Sequence, residues 1–473
     1  FRRVLFRSGM DKSGTKENDS VDQSKDTTIV EVQSPVAQSS HNTIAKDVSP
    51  DESSGISLFQ FSVALIKSTT GPGVLAIPYA INNMGIIMTV ILFSLIAAMN
   101  IYCSFLLIEV MHYTKKNKSK YLPRPIGNKY SAIIYHVFGN VGYTIFQILY
   151  LFSIWGVLVS VLISIVDFLT HLPWPESFLG GEANQKVLFH IVSTILAWIL
   201  VLMSSLKPLM FVSSFSIFAL LFSFVVLLIY GYSTYGAHVD SSVLGPRSLT
   251  ALFSSMGVPA FSLGYNFSFL TFYTALKPST LGKAGITNIL SISGAALFLM
   301  AMPMAAYFSY RGSPDGMAQN VLVSIPKEQL ASTVITAFMF LSCLFTYPIV
   351  TPPLNEIIEG NYKNTSEKWY FVTDAKRVGI RSLQTLVVSL VAFFFPYFEK
   401  IISLVGGLVM TAVCVIFPPL LHYHCFKQSL SKGAIFLDFF IVIFCVVFMT
   451  ISTIYSVKGL VSQIGRASCR ERV

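Results

Sequence analysis

Lys67-Ser-Thr-Thr-Gly-Pro-Gly-Val-Leu-Ala-Ile-Pro78 is the stretch best suited to chemistry, and the chemistry is binding rather than bond-making. Pro72 has no N–H and clashes with the carbonyl one turn back, while Gly71 and Gly73 allow backbone angles other residues resist, so a helix through here should unwind. Carbonyls freed around Lys67 to Thr70 would then face N–H groups freed around Gly73 to Ala76. Bare backbone polarity inside a membrane survives only where it lines a cavity or is buried in protein. The N–H side carries the positive end of a helix dipole and suits a carboxylate; the carbonyl side suits a cation or an ammonium. An amino acid zwitterion carries both charges on one carbon and fits such a break. Thr69, Thr70, Gly71, Gly73 and Val74 are the expected contacts.

The device recurs. Gly257-Val-Pro-Ala-Phe-Ser-Leu-Gly264 again sets Gly and Pro within an apolar run, and a packing kink explains one such interruption better than two at matching positions of two halves. Phe261, Ser262, Gly264 and Tyr265 are expected to follow this second break and shape a side-chain pocket.

These elements must sit in lipid. Hydrophobic residues make up 53% of the 473 positions and charged residues 12%, too few charges for a water-facing surface. The apolar residues fall in runs near the roughly 20 residues that cross hydrocarbon. Eleven spans are expected, at 58–82, 86–110, 140–168, 187–204, 209–232, 250–275, 286–310, 331–357, 380–396, 398–421 and 434–457. Residues 10–57 read as a disordered, polar, cytoplasmic N-terminal tail, 58–457 as the transmembrane domain and 458–473 as a C-terminal tail. Residues 1–9 and 465–473 resemble translated adapter sequence and are set aside; without their six arginines and one glutamate the net charge of +10 falls to +5. The remaining basic excess lies in short loops, sixteen Lys and Arg after even-numbered spans against five after odd-numbered spans from the third to the ninth. That bias orients a membrane protein with its N-terminus cytoplasmic, and does not read as nucleic-acid binding. No cofactor, disulfide framework or metal motif is expected, and His422 and His424, two residues apart on a helix, read as a solvated helix end.

Gly71-Pro-Gly-Val-Leu-Ala-Ile-Pro-Tyr-Ala80, followed by Gly85, resembles the first-span signature of the amino acid/auxin permease family. Ala260-Phe-Ser-Leu-Gly-Tyr-Asn266 is similar to its sixth span, Phe345-Thr-Tyr-Pro-Ile-Val-Thr-Pro-Pro353 to its eighth, and Ile402-Ser-Leu-Val-Gly-Gly407 with Phe417-Pro-Pro-Leu420 to its tenth. The resemblance implies an all-α fold of eleven transmembrane helices, a five-plus-five inverted repeat with helices 1 and 6 broken, and alternating access coupled to protons, with sodium as the alternative. It also implies amino acid transport without enzymatic activity, in a plasma or vacuolar/lysosomal membrane.

Lys67 lies four residues before Gly71, where charge is costly and usually functional. Sodium-coupled members of the family carry asparagine at the position aligning with Lys67, and proton-coupled members lysine. Lys67 is therefore expected to stand in for a sodium ion, with Ser342 and Thr346 of the eighth span supplying hydroxyls; a lysine snorkelling to the interface is the other reading. Glu109, Asp167, Glu356 and Asp438 read as anchors near span ends. An intramembrane enzyme would need a nucleophile with its base, paired aspartates or a metal motif, and none falls at helical spacing. A channel would show a repeated selectivity loop or charge ring. A non-transporting amino acid sensor on the same fold is the closer competitor.

Overall fold

The computed structural model describes residues 55–71, 73–117, 126–175, 182–203, 206–238, 244–313, 317–360, 371–372, 374–395 and 398–470. Nearly all of the expected N-terminal tail lies outside these residues, as do Pro72, Lys118, Lys120, Arg124, Lys363 and Lys368.

Among the described residues the elements are helical, with isolated bridges only at Ile56 with Leu276 and Met203 with Phe371. The first apolar run forms two pieces, α1 (Leu58–Thr69) and α2 (Gly73–Met84). Long helices follow: α3 (Ile86–Lys116), α4 (Lys129–His171), α5 (Glu182–Val201) and α6 (Leu206–Tyr235). The next apolar run is also in pieces, α7 (Leu249–Ser255), α8 (Gly257–Leu263) and α9 (Asn266–Thr274). Then come α10 (Ala284–Tyr310), α11 (Leu330–Glu359), α12 (Ala375–Phe394), α13 (Phe398–Val405), α14 (Phe417–Phe426) and α15 (Lys432–Arg470). Two π-helical turns, Gly406–Met410 and Ala412–Ile416, join α13 to α14. Among the described residues nine helices are long and apolar enough to cross a membrane, α13 to α14 counting as one. The pieces of the two broken runs are each too short to be among them.

Several boundaries differ from the sequence reading, and α15 runs to Arg470 through most of the expected C-terminal tail. The third run starts at Lys129 rather than 140, because Asn128 caps a helix that continues through a kink at Gly139, where φ is +67°; glycine reaches that angle without a side-chain clash. α12 starts at Ala375, capped by Asp374, which puts Lys376, Arg377 and Arg381 on a helix instead of in a loop. The tenth run extends to Phe426.

The bundle is apolar outside. α15 presents Phe436, Phe440, Ile443 and Val447 outward, a face made for lipid, and the stack that begins at Phe436 and Phe440 runs inward through Phe444 to the buried Phe448. Because lipid tails are as apolar as leucine, helices associate through close packing of small residues and through polar ties. Gly257, Gly406 and Gly407 supply the first: a Cβ on Gly406 would strike the Gly257 carbonyl and lie 2.6 Å from the Phe261 amide nitrogen. A buried ion pair supplies the second. Glu359 of α11 receives Arg377 at 2.7 Å and Arg381 at 2.6 Å, and Arg381 also donates to the Val201 and Met203 carbonyls at the end of α5. Glu359→Ala would leave two nearly buried guanidiniums facing each other without the carboxylate. That should cost about 3–5 kcal/mol, read as a lowered melting temperature of the purified protein; an unchanged melt would show the tie to be incidental.

Candidate functional site

The Gly-Pro-Gly sequence parts α1 from α2. Thr70 ends α1 at φ −90°, ψ 44°, and its amide still reaches the Ile66 carbonyl. Ser68 would normally receive the N–H of residue 72, which proline lacks. The Thr69 and Thr70 hydroxyls turn back to the Ile66 carbonyl at 2.8 Å, so they close the end of α1. On the other side the Val74 amide bonds the Gly71 carbonyl at 3.3 Å. The expected row of unpaired amides from Gly73 to Ala76 is thus one shorter.

The sixth run is interrupted twice, once at Met256 between α7 and α8, beside the Gly257-Val-Pro259 of the sequence reading, and again further on. α8 runs unbroken through Pro259, and the chain leaves helix at Gly264 (φ −79°, ψ 86°) and Tyr265 (φ −108°, ψ −12°) before α9. Pro259 is the third residue of α8, in the first turn, where its missing N–H is not needed. Phe261 and Ser262 therefore follow the interruption at Met256 and precede the second one, which Gly264 and Tyr265 form.

The first break packs on α8, between the two interruptions of its run. α2 packs on α8 and α1 on α9, and a Cβ placed on Gly73 would lie 2.6 Å from Ser262 Oγ and 3.0 Å from Phe261 Cδ1. Thr69, Thr70, Val74, Phe261, Ser262 and Tyr265 are all buried. A small cavity with room for roughly one water lies beside Ala260, walled by Asn100, Met410, Thr411 and Cys414.

Lys67 is 1% exposed and its Nζ donates to Ser342 Oγ at 2.9 Å. The side chain does not snorkel, and it takes part in no ion pair among the described residues. Ser342 is held by the Ser216 backbone carbonyl of α6 at 3.1 Å. Thr346 is buried too, but its hydroxyl bonds the Ser342 carbonyl of its own helix at 2.7 Å, a common use of hydroxyls on membrane helices. The structure thus brings Lys67 and Ser342 together and leaves Thr346 one step removed.

Two buried polar networks tie the helices together, one toward each end of the bundle. At the end carrying Lys115, Lys116 and Lys277, Glu356 Oε2 accepts from Asn128 Nδ2 at 2.8 Å and Thr271 Oγ1 at 3.0 Å, tying α11 to the start of α4 and to α9. The Ile56 amide donates to the Ala275 carbonyl, and the Lys277 amide to the Ile56 carbonyl, fastening the entry of α1 to the exit of α9. At the opposite end Asn83 of α2 donates to Ser255 Oγ, Ser255 donates to Glu399 Oε1, and Glu399 Oε2 pairs with Lys400 at 2.7 Å. Beyond this network a cavity of ≈ 430 Å³ is lined by Tyr79, Asn83, Ser254 and Lys400. Glu356 is consequently a structural tie and not merely an interfacial anchor.

The π turns have a visible use. Three successive carbonyls accept from three different helices: Val413 from Tyr130 of α4 at 2.8 Å, Cys414 from Asn266 of α9 at 3.0 Å, and Val415 from Cys103 of α3 at 3.6 Å. Pro418 and Pro419, four residues on, have no N–H to give the Cys414 and Val415 carbonyls, which leaves those oxygens open to the other helices. Asn266, the first residue of α9 after the break, also donates to the Asn100 carbonyl. Among the described residues no group of three or more His, Cys, Asp or Glu side chains could hold a metal ion.

Residues 54–462 match the family model described as transmembrane amino acid transporter protein. Similar curated proteins include amino acid transporter AVT3C of Arabidopsis thaliana, 24% identical over 432 residues, covering 85% of this chain and 92% of that protein. Amino acid transporter AVT1J of the same plant is 24% identical over 369 residues, 76% of this chain and 80% of the relative. Sodium-coupled neutral amino acid transporter 7 of Homo sapiens is 28% identical over 180 residues, 36% of this chain and 37% of its own length.

Proposed function

The chain belongs to the transmembrane amino acid transporter family, and from that premise we propose that it is a secondary transporter that carries amino acids by alternating access, coupled to protons. The observation that carries this reading is the buried packing of the first break on the interrupted sixth run, Gly73 lying against Phe261 and Ser262. The substrate carboxylate binds at the amide side of the first break, near Gly73, and the ammonium at the carbonyl side, near Thr69 and Thr70. Val74, Phe261, Ser262 and Tyr265 surround the side chain, and Gly71 and Gly264 give the backbone room.

The broken runs α1–α2 and α7–α9 are spans one and six. Added to the nine long helices they make eleven, in two inverted halves of five plus a final helix. The lysine-rich end is cytoplasmic. Glu356 with Asn128 and Thr271 forms the inner closure, and Glu399 with Asn83 and Ser255 the outer one; transport opens one while the other stays shut. Lys67 takes the place of a coupling cation, held by Ser342, so the driving ion is the proton. The name of one relative, a sodium-coupled transporter, makes the opposite coupling the natural competitor.

Purified protein in liposomes, offered a panel of labelled amino acids, tests all of this. An inward proton gradient should drive accumulation of at least one amino acid with or without sodium. Accumulation strictly dependent on sodium would overturn the coupling; saturable binding without uptake would overturn the carrier and leave a sensor.

A further inference from the structure

A second ionisable cluster lies away from the broken helices. His422 of α14 is 5% exposed rather than at a solvated helix end, and Asp438 of α15 is 1% exposed rather than an interfacial anchor. His422 Nδ1 faces Asp438 Oδ2 at 2.7 Å, and Nε2 faces Glu109 Oε2 of α3 at 3.4 Å. Tyr102 of α3 donates to the other Asp438 oxygen at 2.8 Å. α4, the other long helix against α14, meets it through Phe138 on His424 and Phe146 on Phe417. The Glu109 side chain is 44% exposed, two turns before Lys115 and Lys116 at the lysine-rich end.

We propose that His422, clamped between Asp438 and Glu109, is a proton-binding site open to that end of the bundle, and that the bound proton ties α14 to α3. A neutral imidazole has one N–H and one lone pair. With Nδ1–H given to Asp438, its bare Nε2 confronts the Glu109 carboxylate, lone pair to lone pair. One added proton turns that face into an N–H donor, so both ring nitrogens bond carboxylates and the net charge of the cluster falls from two negatives to one. The proton comes from water by way of Glu109 and returns the same way, and no other bond changes. Without it Glu109, already half in water, has nothing to hold it to His422, while the Tyr102–Asp438 tie remains.

The consequence reaches the substrate site through contact alone. α14 continues from the π turns whose Cys414 carbonyl holds Asn266, directly after the Gly264–Tyr265 break. Clamping α14 therefore steadies the element that anchors the second break. Only this effect on rate rests on the transporter reading; the proton site does not.

The test is amide hydrogen exchange of α14 in lipid nanodiscs, corrected for intrinsic rates, at acid and at alkaline pH, with substrate counterflow measured at the same two pH values. Wild type should gain about tenfold protection on acidification, the worth of one charge-assisted bond, with a matching step in counterflow. His422→Gln and Glu109→Gln should lose the protection step while α4 and α11 stay protected as in wild type, which excludes misfolding. Variants that keep the step, or a wild type without one, would overturn the proposal. A protection step with no counterflow at either pH would support the proton site and sink the transporter instead.

Discussion

Lys67→Ala will abolish proton-driven uptake, by roughly tenfold or more, while the protein still reaches the membrane and melts at or above the wild-type temperature. The asymmetry follows from burial. An ammonium inside a low-dielectric bundle with one hydroxyl partner at 2.9 Å is costly to the fold, so deleting it relieves a penalty. What is lost is the fixed positive charge beside the first break. Lys67→Asn sharpens the test, because the family resemblance implies asparagine where sodium couples. That variant should regain uptake only with sodium present. Normal proton-driven uptake in Lys67→Ala would remove the lysine from the mechanism.

Gly73→Val will lower apparent substrate affinity at least about tenfold. A Cβ there lies 2.6 Å from Ser262 Oγ and 3.0 Å from Phe261 Cδ1, and the two extra methyls of valine have nowhere to go in a close-packed interior. The serine hydroxyl can rotate, but the Phe261 ring is buried and α8 must shift, which separates the first break from the sixth run. Gly379→Ala, where nothing lies within 4 Å of the added atom, controls for the loss of a glycine as such and should leave affinity unchanged. The measurement is saturation binding of the amino acid found in the liposome panel; equal affinities for wild type and Gly73→Val would show that this packing is not needed.

The first break was legible in the sequence because Gly-Pro-Gly acts through local backbone geometry, which needs no knowledge of neighbours. The sixth run was read only in part, because one of its two interruptions has no proline to mark it. Gly257-Val-Pro259 marks the interruption at Met256, with Pro259 in the first turn of α8, whereas the chain departs from helix again at Gly264, five residues on. The resemblance read from the first, sixth, eighth and tenth runs is borne out by the family match over residues 54–462, and the apolar runs correctly indicated an all-helical membrane protein. The partnerships were not legible. Glu356 with Asn128, 228 positions apart, and His422 with Glu109 are made by packing, and a carboxylate near a span end looks the same in sequence whether it anchors to water or ties two helices. The lysine to serine contact was accessible only because the eighth span had been singled out by its resemblance. The π turns gave no signal, since Gly406 to Ile416 reads as an ordinary apolar run.

A density map of the protein saturated with its amino acid tests the central claim most directly. The carboxylate should lie against the amides at the start of α2 and the ammonium against the carbonyls at the end of α1, with the side chain between Phe261 and Tyr265. Density for the ligand elsewhere in the bundle, with these peptide groups bonded only to protein, would contradict the account.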